Sequence, residues 1–310
     1  MKVSRRAEKR GDGLFDVLTD EENGVRLIVS RLGAELISLA RRNKAGEWMG
    51  FLFRDNDVTK PVPGWANHAT VMGYFLHRLK DGHSLYRGQP IEGGTHSFLR
   101  TKKWHLVEDK IDNSSLTYRI TPADFSKLEY PLNVGLDLTY KIDHDTVHVV
   151  FRFKNDEAKL IAHVGFGLHP GFAATSFESF RFEMPPGKYR RHFSPQNYLS
   201  GETVEIDFAG GEMPFAREKL PGSYILEFID VPDRKFIYVD PTSGRKVIVD
   251  LAGVPYFTLW SDGGAFFCVE PCWGLTDHQE QRAFEDKEGI QQIPPGGELR
   301  ASFTMSPQFI

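Results

Sequence analysis

Two short segments of this sequence set a proton-transfer group inside an otherwise apolar run. Phe166-Gly167-Leu168-His169-Pro170-Gly171-Phe172 carries an imidazole, and Phe266-Phe267-Cys268-Val269-Glu270-Pro271-Cys272-Trp273-Gly274 carries a carboxylate. A carboxylate in such a run is costly to bury alone, so Glu270 needs an Arg or His partner or a raised pKa. A raised carboxyl and an imidazole are also the groups that general base and general acid catalysis use near neutrality. The plain alternatives are a structural ion pair for Glu270 and a core-satisfied or solvent-facing ring for His169. In both segments a proline follows the polar residue, and Pro170-Gly171 is a turn signal. This predicts that His169 and Glu270 sit at strand ends, where the rim of a sheet meets ligands.

Other polar residues could complete a site. Thr95-His96-Ser97-Phe98-Leu99-Arg100 follows Gly93-Gly94 and supplies a second His with an Arg four residues on, and His77-Arg78 adds another guanidinium. The fixed donor fork of Arg78 or Arg100 suits vicinal hydroxyls or a phosphate, although either could be a solvated surface charge. Several chemistries are set aside because their local patterns are missing: GxxxxGKS/T, GxSxG, HExxH and GxGxxG after a strand do not occur. A metal-dependent β-sandwich enzyme is a rival, since the chain has 11 His, with His144 and His148 on one strand face and His163 near His169. Their spacing matches no ligand motif. Cys268 and Cys272, the only cysteines, fit neither a disulfide framework nor a two-pair zinc site and read as packed or partly exposed thiols.

The elements that must position these groups are strands. Val134 to Ile142 alternates apolar and polar residues, and Val147 to Phe153 resumes after Asp143-His144-Asp145, which predicts an antiparallel hairpin. Similar short segments recur at Val25 to Val29, Glu35 to Leu39, Ser115 to Ile120, Phe180 to Phe182, Tyr224 to Ile229, Phe236 to Val239, Lys246 to Leu251, Tyr256 to Trp260, Phe266 to Glu270 and Leu299 to Met305. The best helical candidate is a short piece from Thr276 to Asp286, capped at Thr276 or Asp277. Many short strands without long helices between them predict an all-β, large antiparallel β-sandwich. With no repeat and no linker, residues 1–310 read as a single domain.

Composition agrees. The chain has 310 residues, 40% hydrophobic and 26% charged, with an unusually high count of 24 Phe, which can fill the space between sheets or line a cleft. A formal charge of −4 gives no footprint for nucleic acid. No stretch has the ~18 apolar residues of a membrane span, and the N-terminus lacks the apolar core of a signal peptide, so a cytoplasmic location is expected. The basic run Lys2 to Arg10 is expected to be a frayed terminus.

Taken together, GAEL at Gly33 to Leu36, HSFLR at His96 to Arg100, FGLHPGF, PYFTLWSD from Pro255, CVEPCWGLTD and KEGI before a Pro-Gly turn make the chain resemble the aldose 1-epimerase (galactose mutarotase-like) family. The resemblance runs from about Val25 to the end. It implies a large sandwich with an open sugar cleft on one sheet, a small-molecule sugar or sugar phosphate as partner, and neither metal nor cofactor. It further implies that His169 protonates the ring oxygen, that Glu270 deprotonates the anomeric hydroxyl, that His96 holds the sugar, and that Arg78 binds substrate. Three departures accompany it: His77 precedes Arg78 where a Gly is usual, Ser97 replaces the Gly of an HGF motif, and Ser223 stands where many members have an Asp. Asp262, in the Ser261-Asp262-Gly263 turn, is the candidate to replace that acid. The expected activity is interconversion of α and β anomers; the rival on the same fold is a sugar-binding or regulatory protein without turnover.

Overall fold

A computed structural model describes residues 3–58, 64–108, 114–213 and 222–310. Three antiparallel sheets account for most of it. A five-stranded meander runs from Val3–Arg10 to Trp48–Gly50, and a nine-stranded sheet contains Val134–Asp143, Thr146–Asn155 and Glu298–Phe309. In an eight-stranded sheet, Ala162–Ala173 lies next to one edge, flanked by Phe266–Trp273 on its inner side and by Ala69–Tyr74 and Gln291–Ile293 on its outer side. No helix of the described residues is long and apolar enough to cross a membrane.

The alternation read from the sequence sets the faces. Thr146–Asn155 is buried at every second residue, and Asp143 pairs with Thr146 across a turn in which His144 takes φ +56°. The aromatics fill the space between the two large sheets: Phe153 and Phe151 lie 4.6 and 5.1 Å from Phe166, Trp273 stacks on Phe166 at 5.0 Å, and Phe236 packs on Phe257 at 4.8 Å. Each such ring contributes about 1.5–3 kcal/mol on burial, so this aromatic seam is what fixes one large sheet against the other.

Three expectations need correction. The Thr276 to Asp286 segment is not a helix; only Phe284–Asp286 makes a single 3₁₀ turn. Its backbone pairs elsewhere, with the amides of Leu199 and Gln279 bonding the carbonyls of Asp277 and Leu199, and such tertiary pairing overrides a weak local propensity. Of the basic run, Lys2 lies outside the described residues, and Val3–Arg10 is a strand paired residue for residue with Gly13–Asp20. Its charges are held by partners, Arg5 on Glu108 at 3.0 Å and Arg10 on Glu8 at 2.6 Å. His169 and Glu270 do not sit at strand ends: Ala162–Ala173 and Phe266–Trp273 continue past both, because proline's φ is compatible with an extended chain and only its missing N–H is felt.

Candidate functional site

The missing N–H groups shape the site. The ladder between Ala162–Ala173 and Phe266–Trp273 pairs Gly167 with Cys272 and Gly171 with Cys268, but no pair is made between these positions, where Pro170 and Pro271 have no amide hydrogen to give. His169 and Glu270 lie in that gap. On their outer sides His169 pairs with Thr70 and Glu270 with Thr258, so both remain anchored in a continuous sheet.

Alternation turns Phe166, Leu168 and Phe172 to the core and Gly165, Gly167, His169 and Gly171 to the other face. The glycines clear space around the imidazole. A Cβ at Gly171 would lie 2.4 Å from the ring of Trp65, and one at Gly167 would lie 2.3 Å from the carbonyl oxygen of Pro271. Trp65 therefore reaches in and stacks on His169 at 5.0 Å and 26°, while Trp260 meets the same ring edge-on at 5.6 Å.

His169 Nε2 and Glu270 Oε1 are 3.2 Å apart, with the side chains only 6% and 1% exposed. The His96 ring stands edge-on to His169 at 5.2 Å, and the His77 ring lies 5.4 Å from His96. His77, His96 and Ser97 all adopt left-handed backbone conformations, with φ of +53°, +62° and +63°, a state rare for residues other than glycine and concentrated at functional sites. Ser97 thus takes the conformation for which the family pattern supplies glycine. His77, His96, His169 and Glu270 floor a cleft of about 560 Å³ whose lining also includes Thr70, Ser194, Asn197, Ser223 and Thr276.

Burial dominates the electrostatics. It pushes the Glu270 carboxyl well above the usual range and lowers His169 to about 3, with His77 adding to the latter. His96 is held well below its ordinary value, first by burial and then by His169, His77, Arg100 and Arg78, and His77 is lowered to about 4 by burial, Lys287 and Arg78. Desolvation favours the neutral form of each group. At 3.2 Å, Nε2 and Oε1 are near enough for a proton to pass between them. Glu270 Oε2, His169 Nδ1 and His96 Nδ1 are buried with no protein partner among the described residues, orphan polar atoms of cleft-lining residues that suit a polyhydroxylated ligand.

The remaining candidates are distributed unevenly. Arg78 and Arg100 both line the cleft, and neither forms an ion pair among the described residues. Asp262 does not line it: its carboxylate accepts hydrogen bonds from the amides of Trp65 and Gly264, both at 2.8 Å, and so holds the Trp65 segment over His169. Ser223 does line the cleft, without an acid beside it from Asp262. Trp65, Trp260 and Thr70 were not singled out by sequence reasoning; for Trp260 the signal is its two-residue spacing from Thr258, the cross-strand neighbour of Glu270. Of the histidines of the metal rival, His144 lies in the turn rather than on the strand of His148, and the two approach one Asp143 carboxylate at 2.8 and 4.0 Å; His163 is elsewhere, at 3.1 Å from the Tyr86 hydroxyl. Both cysteines are fully buried thiols.

With its three large sheets and a histidine-and-carboxylate cleft on one face, the molecule has the galactose mutarotase-like β-sandwich fold. A galactose mutarotase related enzyme from Lactobacillus acidophilus superposes with a TM-score of 0.81 over 94% of this chain and 97% of its own, at 22% identity. A galactose mutarotase-like protein from Lactobacillus casei gives 0.79 over 94% and 100% at 19% identity, and galactose 1-epimerase from Lactobacillus acidophilus gives 0.72 over 99% of both chains at 12% identity. No curated protein matches by sequence. The profile of the aldose 1-epimerase family matches residues 16–189, and the chain belongs to that family. Membership assigns it an epimerase function at the family level. The matched region contains Arg78, His96, Arg100 and His169 and ends before Glu270, which the sheet returns to His169 from a strand a hundred residues further on.

Proposed function

We propose that this protein is a mutarotase that interconverts the α and β anomers of a hexose or a hexose phosphate by opening and reclosing the ring. The observation that carries the proposal is the buried 3.2 Å contact between His169 Nε2 and Glu270 Oε1 at the floor of a polar cleft. Ring opening needs one proton removed from the C1 hydroxyl and one delivered to the ring oxygen. A pair sharing one proton balances this without other reagents. When the proton lies on His169, Glu270 is the base and His169 the acid; Glu270 takes the hydroxyl proton, the C1–O5 bond breaks, and His169 gives its proton to O5.

The opened form then faces a protonated Glu270 and a neutral His169, the state that burial favours. Rotation about C1–C2 presents the other face of the aldehyde, and both transfers run backwards on closure. His96, with its free Nδ1, and Arg78 and Arg100 at the wall are proposed to hold the hydroxyls or a phosphate of the substrate. Each positioned group typically contributes about 10²–10⁴-fold, which suits a reaction that water already permits slowly.

The test is polarimetry, or anomer exchange by NMR, across glucose, galactose and their 6-phosphates. Accelerated anomerisation of at least one is expected. Saturable binding without acceleration of any of the four would replace this reading with that of a sugar-binding protein.

A further inference from the structure

At the cleft floor Glu270 also belongs to a second arrangement, with two residues that the acid–base chemistry does not use. Cys272 follows Glu270 by two residues on the same strand and so projects to the same face, and His77 folds over it from the segment after Ala69–Tyr74. An imidazole nitrogen of His77, a carboxylate oxygen of Glu270 and the Cys272 sulfur all lie within 4.8 Å of one another. All three residues are buried, at 8%, 1% and 0% exposure.

Their present partners are weak. His77 Nε2 is 3.5 Å from the Thr258 hydroxyl, and the Cys272 thiol donates to the carbonyl of Glu270 at 3.3 Å. Glu270 Oε2 is buried without any partner. The cluster thus joins three buried donor atoms of different kinds, and one oxygen of its carboxylate has no other partner among the described residues.

We propose that His77, Glu270 and Cys272 form a binding site for a thiophilic divalent cation of the Zn²⁺ class, which occupies the cleft floor as an inhibitor. The donor set selects the ion: one nitrogen, one oxygen and one sulfur suit borderline-soft Zn²⁺, whereas Mg²⁺ and Ca²⁺ demand oxygen. Tetrahedral Zn²⁺ with bonds of 2.0–2.3 Å places donors about 3.3–3.8 Å apart, so atoms that lie within 4.8 Å of one another need draw in by at most about 1.5 Å. Three protein ligands leave a fourth position open toward the cleft. On binding, the thiol proton passes to water and a sulfur–metal bond takes its place, with no change of oxidation state.

The consequence rests on the mutarotase reading: a coordinated Glu270 cannot take a proton from a sugar, so metal and turnover exclude one another. The binding itself stands apart from that reading and is tested without sugar. Chelator-treated full-length protein is titrated with Co²⁺, a spectroscopic stand-in for Zn²⁺. One ion per chain and a near-ultraviolet thiolate-to-metal absorption band are expected, displaced by Zn²⁺ and untouched by Mg²⁺. Cys272→Ser should abolish the band, Cys268→Ser should keep it, and His77→Ala should weaken binding at least tenfold.

No thiolate band in the wild type, or a band that survives in Cys272→Ser, overturns the proposal. Should Cys272→Ser fail to fold, an unchanged Co²⁺ affinity in His77→Ala does so instead. Where anomerisation is present, Zn²⁺ should suppress it in the wild type and spare it in Cys272→Ser. A band without any anomerase activity leaves the metal site standing and removes the mutarotase reading.

Discussion

Replacing Glu270 with Gln tests whether one shared proton serves both half-reactions. Gln keeps the shape of the side chain and its contact with His169 but neither accepts nor stores a proton. The base is lost directly and the acid is lost with it, because His169, lowered to about 3 by burial, has no partner left to hand it a proton. With neither base nor proton donor left, the loss should reach the upper end of what one positioned group contributes, about 10⁴-fold, or about 5.5 kcal/mol of transition-state stabilisation. Two groups acting through one proton fail as a unit, and their losses do not add. The expectation is a loss of about 10⁴-fold in Glu270→Gln, a similar loss in His169→Asn, and a double variant within tenfold of either. The assay is anomer exchange by NMR in the presence of a chelator, which keeps the cleft free of metal, with circular dichroism to show that each variant folds. A second signature accompanies it: residual activity of Glu270→Gln should rise as pH falls from 7 toward 4, as His169 gains a proton from solvent. A double variant that loses the product of the single losses would refute the shared-proton mechanism, as would a Glu270→Gln variant within tenfold of wild type.

Two further predictions concern stability. Burial raises Asp55 to about 6, with one oxygen accepting from Ser38 Oγ at 3.1 Å and the other unpartnered. The folded state therefore keeps a proton that the unfolded state releases between about pH 4 and 6, so stability falls as pH rises through that window and stays lower above it. Discounted for partial exposure, the effect is about 2 kcal/mol; Asp55→Asn should raise Tm by a few degrees at pH 8 and leave it unchanged at pH 4, and equal shifts at both would refute the assignment. Gly167→Ala sets a Cβ 2.3 Å from the carbonyl oxygen of Pro271, a backbone atom that cannot swing aside. It should cost about 3 kcal/mol or more in urea unfolding, whereas Gly94→Ala, with nothing within 4 Å of its Cβ, should be nearly neutral.

Much of this architecture was legible in the chain because strand patterning is local. The Val134 to Phe153 hairpin follows from period-two alternation and an Asp-His-Asp turn, and the all-β class follows from its repetition. The helix expected at Thr276 to Asp286 failed because its backbone hydrogen bonds go to Leu199, far away in sequence. The frayed terminus failed because its charges find Glu108 and its backbone finds Gly13–Asp20, neither visible from composition.

For the candidate site, the sequence by itself determined which groups are dangerous to bury: His169 and Glu270 stand in apolar runs, so their environment had to be special. Only the tertiary structure decided what that environment is. It opened the ladder at two prolines so that imidazole and carboxylate face each other, set Trp65 over His169 with Asp262 behind it, and brought His77 onto Cys272. Such relations depend on strand register and sheet order, which arise from packing between segments a hundred or more residues apart. Alternation along a strand says which face a side chain takes, but not which strand lies beside it.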